Sequence, residues 1–247
     1  MPDITAIVTA YRRPTAIAPL IEAIRSQTVP ASQIWVWANE PTAAVAEAIA
    51  QVKVDHVVTS SVNAYFHARF ALALTAPTEF VAVFDDDSVP GPLWSENCLA
   101  TMEKTPGILG TAGVRLTGPC YATATKHGWH QPTQETVAVD LVGHAWFLRT
   151  QWLHYLFAEP AVLGTNGEDI ELAARAMRFA DVPSYCPPHP ADDRSVWARR
   201  GVTNWVVTIR LRFVELATSR SVTTSFRPRS QPAGDRSSCE DGILLWF

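Results

Sequence analysis

No apolar run in the 247-residue chain reaches the roughly 18 residues of a bilayer-spanning helix, so no transmembrane helix is expected. The opening Met1-Pro2-Asp3-Ile4-Thr5-Ala6-Ile7-Val8 lacks both a basic n-region and an apolar h-region, which argues against a signal peptide. Cysteine is scarce: Cys98, Cys120, Cys186 and Cys239 lie far apart with no C-x-x-C pair. A zinc ribbon is thereby excluded, and reduced thiols in a cytoplasmic protein are the default expectation. No internal repeat is present. Charged residues are only 18% and apolar residues 47%, the balance of an ordinary globular enzyme rather than of a collagen-like or disordered chain. The length suits one substantial core and is short for two domains with linkers.

The net charge of −4 is unevenly spread. Nine arginines and four acids fall between Arg194 and Phe247, leaving the remainder of the chain strongly acidic. A basic C-terminal segment is either a solvated flank or a surface for phosphate or acidic lipid, so peripheral membrane association is one reading. No nucleic-acid partner is expected.

Ile4–Thr9 is a short β-branched apolar run, and it reads as a buried strand. Ile17, Leu20, Ile21 and Ile24 then mark one helix face, with Thr15 as the expected N-cap and Pro19 in the first turns. Strands follow at Ile34–Ala38, His56–Thr59 and Phe80–Phe84, separated by helical patterns at Ala43–Val52 and Tyr65–Leu74. This alternation predicts an α/β fold with a mostly parallel central sheet flanked by helices. Further on, Pro92–Met102, Thr150–Phe157 and Glu168–Phe179 read as helices, and Leu109–Arg115 and Val137–Val142 as strands. A single Rossmann-like domain is expected over residues 1–215. Residues 216–247, rich in Ser, Thr, Arg and Pro, are expected to form a tail without a core of its own.

The fourth strand ends in Asp85-Asp86-Asp87. Three adjacent carboxylates repel one another, and a hard divalent cation, Mn²⁺ or Mg²⁺, relieves that repulsion. Ligands of open α/β sheets bind outside the carboxyl ends of the strands, where this triplet falls. In extended backbone Asp85 and Asp87 would face one way and Asp86 the other, for instance toward a ribose hydroxyl. The plain alternative is a solvated acidic turn. A cation with few protein ligands completes its shell with phosphate oxygens, which suggests a nucleoside diphosphate leaving from a sugar.

Asn166-Gly167-Glu168-Asp169-Ile170 opens a helix. Asn166 and Asp169 have capping-box spacing, but a carboxylate pair there also suits a general base. Tyr11 follows the first strand, where its ring could stack on a base, and Arg12, Arg13 and Arg69 could pair with phosphates. Gly143-His144-Ala145-Trp146 offers a small-residue opening beside two rings, and His189 is a candidate late metal ligand.

Together these residues resemble glycosyltransferases of the GT-A fold. Ala6-Ile7-Val8-Thr9-Ala10-Tyr11-Arg12-Arg13-Pro14, Ile24-Arg25-Ser26-Gln27-Thr28 and Ile34-Trp35-Val36-Trp37-Ala38-Asn39 are similar to the family-two group. Phe84-Asp85-Asp86-Asp87-Ser88, Val142 to Leu148 and Asn166 to Ile170 resemble the exostosin C-terminal domain. The resemblance covers roughly residues 3–190. It implies metal-dependent transfer of a sugar from a nucleotide-diphosphate donor, UDP-linked by preference, to a hydroxyl of a glycan-type acceptor. It further implies Asp87 as metal ligand with Asp85 behind it, and Asp86 near the ribose. Thr9, Tyr11, Arg13, Asn39 and Arg69 would line the donor site. His144 and Trp146 would face the acceptor, and Asp169, supported by Glu168, would be the essential carboxylate. Asn39-Glu40 stands where family two usually carries an aspartate, and no clear Q-x-x-R-W motif follows, which disfavours a processive synthase. Family two inverts and exostosins retain; inversion is slightly favoured.

Two other readings compete. A sugar-nucleotide nucleotidyltransferase shares strand-end acids but needs a glycine-rich loop after the first strand, and Ala10-Tyr11-Arg12-Arg13-Pro14 has no glycine. A non-catalytic carbohydrate-binding module explains the aromatics but not the joint presence of Asp85–Asp87 and Glu168-Asp169.

Overall fold

The computed structural model describes residues 2–118 and 123–200. The expected tail at 216–247 lies outside the described residues, as do Cys120 and Cys239. Cys98 and Cys186 are buried free thiols.

The first half alternates as the apolar pattern requires. Strands β1 (Ile4–Ala10), β2 (Gln33–Asn39), β3 (His56–Ser60) and β4 (Phe80–Phe84) alternate with helices α1 (Pro14–Arg25), α2 (Ala43–Ala50) and α3 (His67–Ala73). After β4 come β5 (Ser88–Pro90), α4 (Trp94–Lys104), β6 (Ile108–Arg115), β7 (Thr125–Gly128), β8 (Val137–Val139) and β9 (Leu141–Arg149). A 3₁₀ turn at Thr150–Tyr155, α5 (Glu168–Ala180), β10 (Ser184–Cys186) and β11 (Ala198–Arg200) complete the described fold.

Among the described residues one sheet runs β3-β2-β1-β4-β9-β6-β10-β8, with β7 also paired to β6. Its first four strands are parallel; β9 then runs antiparallel to both β4 and β6. Pairing is thus wholly parallel in the half built by β-α-β crossovers and mixed beyond β4, where β9 is antiparallel to its neighbours and β10 joins β6 in parallel.

Both faces are covered, which explains the unbroken apolar runs. Ile4, Ala6, Val8, Phe80, Ala82 and Phe84 pack with Ile17, Leu20 and Ile21 of α1 and Trp94 of α4. Ile7, Val81 and Val83 face Phe70 of α3 and Leu172 of α5 on the other side. Local starts differ from expectation. Helix α1 opens with Pro14 at its first position, where a missing N–H costs nothing, and Thr15 is not its cap; Pro19 lies inside the helix. Residues 150–155 form 3₁₀ rather than α geometry.

The loop leading into α5 is fastened by one arginine. Buried Arg175 donates to the carbonyls of Leu156, Glu159 (2.9 Å) and Pro160 (2.7 Å) and pairs with Glu171 at 2.8 Å. Glu171 in turn accepts from the Val162 amide at 2.9 Å. Arg175→Ala leaves a buried carboxylate and three carbonyls without their donor. It should cost about 3 kcal/mol, read as a lowered urea midpoint at unchanged slope. A loss below about 1 kcal/mol would mean the loop is held by other contacts.

Candidate active site

The carboxyl ends of β1, β2 and β4 meet the start of β9 and the N-terminus of α5. Strand β4 stops at Phe84, and the Ser88 amide donates to the Asp85 carbonyl at 3.0 Å. The acids therefore ride a turn rather than extended backbone. The turn still separates them as expected: Asp85 and Asp87 face His144, while Asp86 turns to Arg13.

One oxygen each of Asp85 and Asp87 and one ring nitrogen of His144 lie within 4.8 Å of one another. His144 is opposite the triplet because β9 is antiparallel to β4, and the Asp85 amide donates to its carbonyl at 3.1 Å. Its Nδ1 lies 3.4 Å from Asp85 Oδ2. Two carboxylate oxygens and an imidazole nitrogen converging at this range are a donor set that fits a divalent cation.

Arg69 of α3 stands behind the triplet. It bonds Asp85 through Nη1 and Glu168 through Nη2 at 2.7 Å. Its guanidinium lies 4.7 Å from the Trp146 ring centroid and 5.3 Å from that of Phe70. At 3% exposure it is closed off from solvent, so the expectation that Arg69 reaches a donor phosphate is corrected: it is an internal cation between two carboxylates. Burial alone would lower Arg69, but Asp85, Glu168 and Asp169 outweigh it and raise its pKa. Burial likewise pushes Asp85 up, and Arg69 and then His144 overcome that and hold it below its ordinary value.

Arg13 and Asp86 are an ion pair, with Arg13 Nη2 also 3.6 Å from Asp87. Burial raises Asp86 to about 6 against the pull of Arg13. Arg12 pairs with Glu40 at 2.6 Å and covers the Tyr11 ring at 4.1 Å. Asn39 is buried and structural: its amide donates to Asn63 Oδ1 at 2.9 Å, and its oxygen accepts the Ala64 amide at 2.8 Å. Asn63 donates to the Tyr11 hydroxyl at 3.2 Å, so the loop after β3 and the loop after β1 are joined. The Thr9 hydroxyl is buried with no hydrogen-bond partner.

Helix α5 opens on Gly167 at φ 85°, a left-handed conformation natural to glycine, and no side chain caps it. The expected capping box is absent. Asn166 bonds the Gly167 amide instead, and Asp169 Oδ1 accepts the Ile170 amide at 2.9 Å. Glu168 is buried against Arg69, whereas Asp169 is only half-buried. Burial, then the Glu168 charge, push the Asp169 carboxyl up to about 7. A side chain built on Gly143 would meet only Asp169 Oδ2, at 4.0 Å, so the small-residue opening before His144 lies beside this carboxylate.

Two expected aromatic or imidazole contacts fall elsewhere. Trp146 is 2% exposed, packs edge-on to Phe70 and donates its N–H to the Val142 carbonyl at 2.9 Å. It is core and does not face an acceptor: it lies on the α3 side of the sheet, against Phe70. His189 is fully buried with Nε2 2.9 Å from Thr111 Oγ1 and Nδ1 2.7 Å from the Pro187 carbonyl. Both ring nitrogens are engaged, and His189 is not part of the Asp85–Asp87–His144 group. Sequence reasoning missed Asn63 and Trp129. An Asn in the loop after β3 gave a weak signal; Trp129 gave none, since β7 is only four residues long.

The model of the family described as glycosyl transferase family 2 matches residues 5–157. No curated protein matches in sequence. Two solved structures from S. aureus are similar in fold. TarS 1-349 has a TM-score of 0.55 at 16% identity over 75% of this chain, and TarS has 0.54 at 15% identity over 75%. The matched region spans 60% of the first and 36% of the second.

Proposed function

The chain belongs to glycosyl transferase family 2, and from that premise we propose that it moves a sugar from a nucleotide-diphosphate donor, a UDP-sugar by preference, to a hydroxyl of a glycan-type acceptor. The observation that best supports this reading is the convergence of Asp85, Asp87 and His144 beside the Arg69–Glu168 pair and the raised Asp169. The catalytic unit is proposed to span residues 1–215, with 216–247 appended to it.

On this reading Tyr11, Thr9 and the Arg13–Asp86 pair border the nucleotide, with Asn39 and Asn63 fixing the loops around it. Asp85, Asp87 and His144 would hold a divalent cation, and the imidazole in the set favours Mn²⁺ over Mg²⁺. When bound, such an ion offsets negative charge developing on the diphosphate leaving group. Asp169 takes the acceptor hydroxyl proton on its carboxylate as that oxygen attacks the anomeric carbon, and the anomeric configuration inverts. A carboxyl raised to about 7 is a stronger base than an ordinary aspartate and is still half ionised at neutral pH. Glu168, tied to Arg69, anchors the first turn of α5 so that Asp169 stays beside the Gly143 opening.

The test is a screen of nucleotide-sugars for turnover with Mn²⁺ and with excess EDTA, with product anomers read by NMR. Chelation and Asp87→Ala should each lower transfer by about 10²-fold or more while the melting temperature of the variant stays near wild type. Full activity in EDTA would overturn the metal role, and a retained anomeric configuration would overturn inversion.

A further inference from the structure

Trp146 is buried, yet another indole stands where an acceptor ring would need one. Strands β7 and β9 lie on either side of the end of β6, and both Gly128 and Gly143 are in register with Ala112. The residue after each glycine carries a ring, Trp129 and His144, and the two rings meet with centroids 4.1 Å apart. Two backbone departures bring them together. Gly128 has φ 74°, and a Cβ there would collide with the Thr111 carbonyl that accepts the Trp129 amide at 3.1 Å. His144 has φ 70°, a left-handed conformation that a non-glycine residue adopts only at a cost of about 1 kcal/mol or more. Strain kept at a site-facing residue is the pattern of a functional constraint.

The indole is also held in orientation. Its N–H donates to His130 Nε2 at 2.9 Å. Partial burial, then Lys126 and His144, keep His130 below its usual pKa. Trp129 is half-buried and packs against the His144 ring, which in turn lies beside Asp85. The nucleotide-side residues Tyr11 and Asn39 lie at the ends of β1 and β2, on the opposite side of β4.

We infer that Trp129, braced on His144 and His130, is the platform on which a sugar ring of the acceptor stacks. The inference rests on the glycosyltransferase reading for the word acceptor, but the stacking itself does not. An indole face is electron-rich, and a pyranose presents a row of weakly positive C–H bonds, so the two faces attract where hydroxyls on the ring edge stay hydrated. The small Gly143 beside it leaves Asp169 open to a hydroxyl of that same ring.

Saturation-transfer NMR with methyl glucopyranoside, methyl galactopyranoside and methyl N-acetylglucosaminide as probes tests the platform without any turnover. The wild type should saturate ring C–H protons of at least one probe; Trp129→Ala should lose the signal and Trp129→Phe should keep most of it. In parallel, the KM for transfer to a glycan-array acceptor should rise about tenfold in Trp129→Ala and far less in Trp129→Phe. Near-ultraviolet circular dichroism and melting of both variants separate loss of the ring from loss of the fold. Equal saturation in wild type and Trp129→Ala, or no saturation of any probe by wild type, overturns the platform. So does a folded Trp129→Ala whose KM for the acceptor equals that of the wild type. A wild type that stacks pyranosides yet hydrolyses no nucleotide-sugar would sink the proposed reaction and leave the platform standing.

Discussion

Asp169→Asn should reduce the rate of sugar transfer by about 10²–10⁴-fold, the usual loss on removing a general base. The substitution keeps the shape of the side chain and leaves an oxygen to accept the Ile170 amide, so the start of α5 should survive. Nucleotide affinity should stay near wild type, because the carboxylate lies beside the Gly143 opening and not among the residues bordering Tyr11. The pH dependence carries the sign. A base must be ionised to act, and Asp169 sits at about 7, so the wild-type rate should fall as pH drops through that region and level off above it. The residual rate of the asparagine variant should lack this acid limb. Wild-type turnover by Asp169→Asn would reduce the residue to an acid favoured at a helix N-terminus.

The second large effect belongs to Arg69. Arg69→Met removes the one guanidinium shared by Asp85 and Glu168 and leaves two carboxylates facing each other in the interior. The expected cost is about 3–5 kcal/mol of stability, since a broken buried pair strands its partners. Asp85 fixes the pH window. Its pKa is depressed in the folded protein, so its contribution is complete above the ordinary carboxylate value and is lost as pH falls through the lower folded value. The stability gap between wild type and Arg69→Met should therefore be widest near neutrality and narrow in acid, as chemical denaturation at several pH values would record. Arg69→Lys should recover only part of the loss, because an ammonium cannot span both carboxylates with a planar fork. A gap that is small and independent of pH would mean that Asp85 and Glu168 are satisfied without Arg69.

The parallel half of the fold was legible because each β-α-β unit carries its own local signal. The run Phe80–Phe84 is apolar at every position, and it is buried on both faces. The second half was legible only in part: Leu109–Arg115 was expected as a strand and forms β6, but most of the remaining strands escaped notice for two reasons. Strands β5, β8, β10 and β11 have three residues each, too few to show a period. Their partners are also distant in sequence, as when β10 joins β6. The acid triplet announced itself through mutual repulsion at the carboxyl end of a buried strand, and the Glu168-Asp169 pair through its place at the start of a helical pattern. Arg69 was recognised as important but given the wrong neighbour, since no local pattern says that α3 faces α5. Trp146 and Trp129 are indistinguishable by residue type. Only the register of β9, and the left-handed residues at 128 and 144, decide which indole is core and which is half-exposed.

Strands β6 and β9 are hydrogen-bonded neighbours, with Val114 opposite Leu141, yet the chain makes a detour between them that carries β7, Trp129 and β8. Seen as a hairpin, this pair is closed at its base whatever the length of the excursion, and lengthening a loop costs little once its ends are fixed. The detour is thus a natural cassette. Apart from Gly128 and the β7 and β8 residues paired into the sheet, its sequence can drift, or be exchanged in the laboratory for that of another protein, while Asp85, Arg69 and Asp169 keep their places after β4, on α3 and on α5. On the proposed reading, selectivity for what is glycosylated can then evolve separately from the means of glycosylating it.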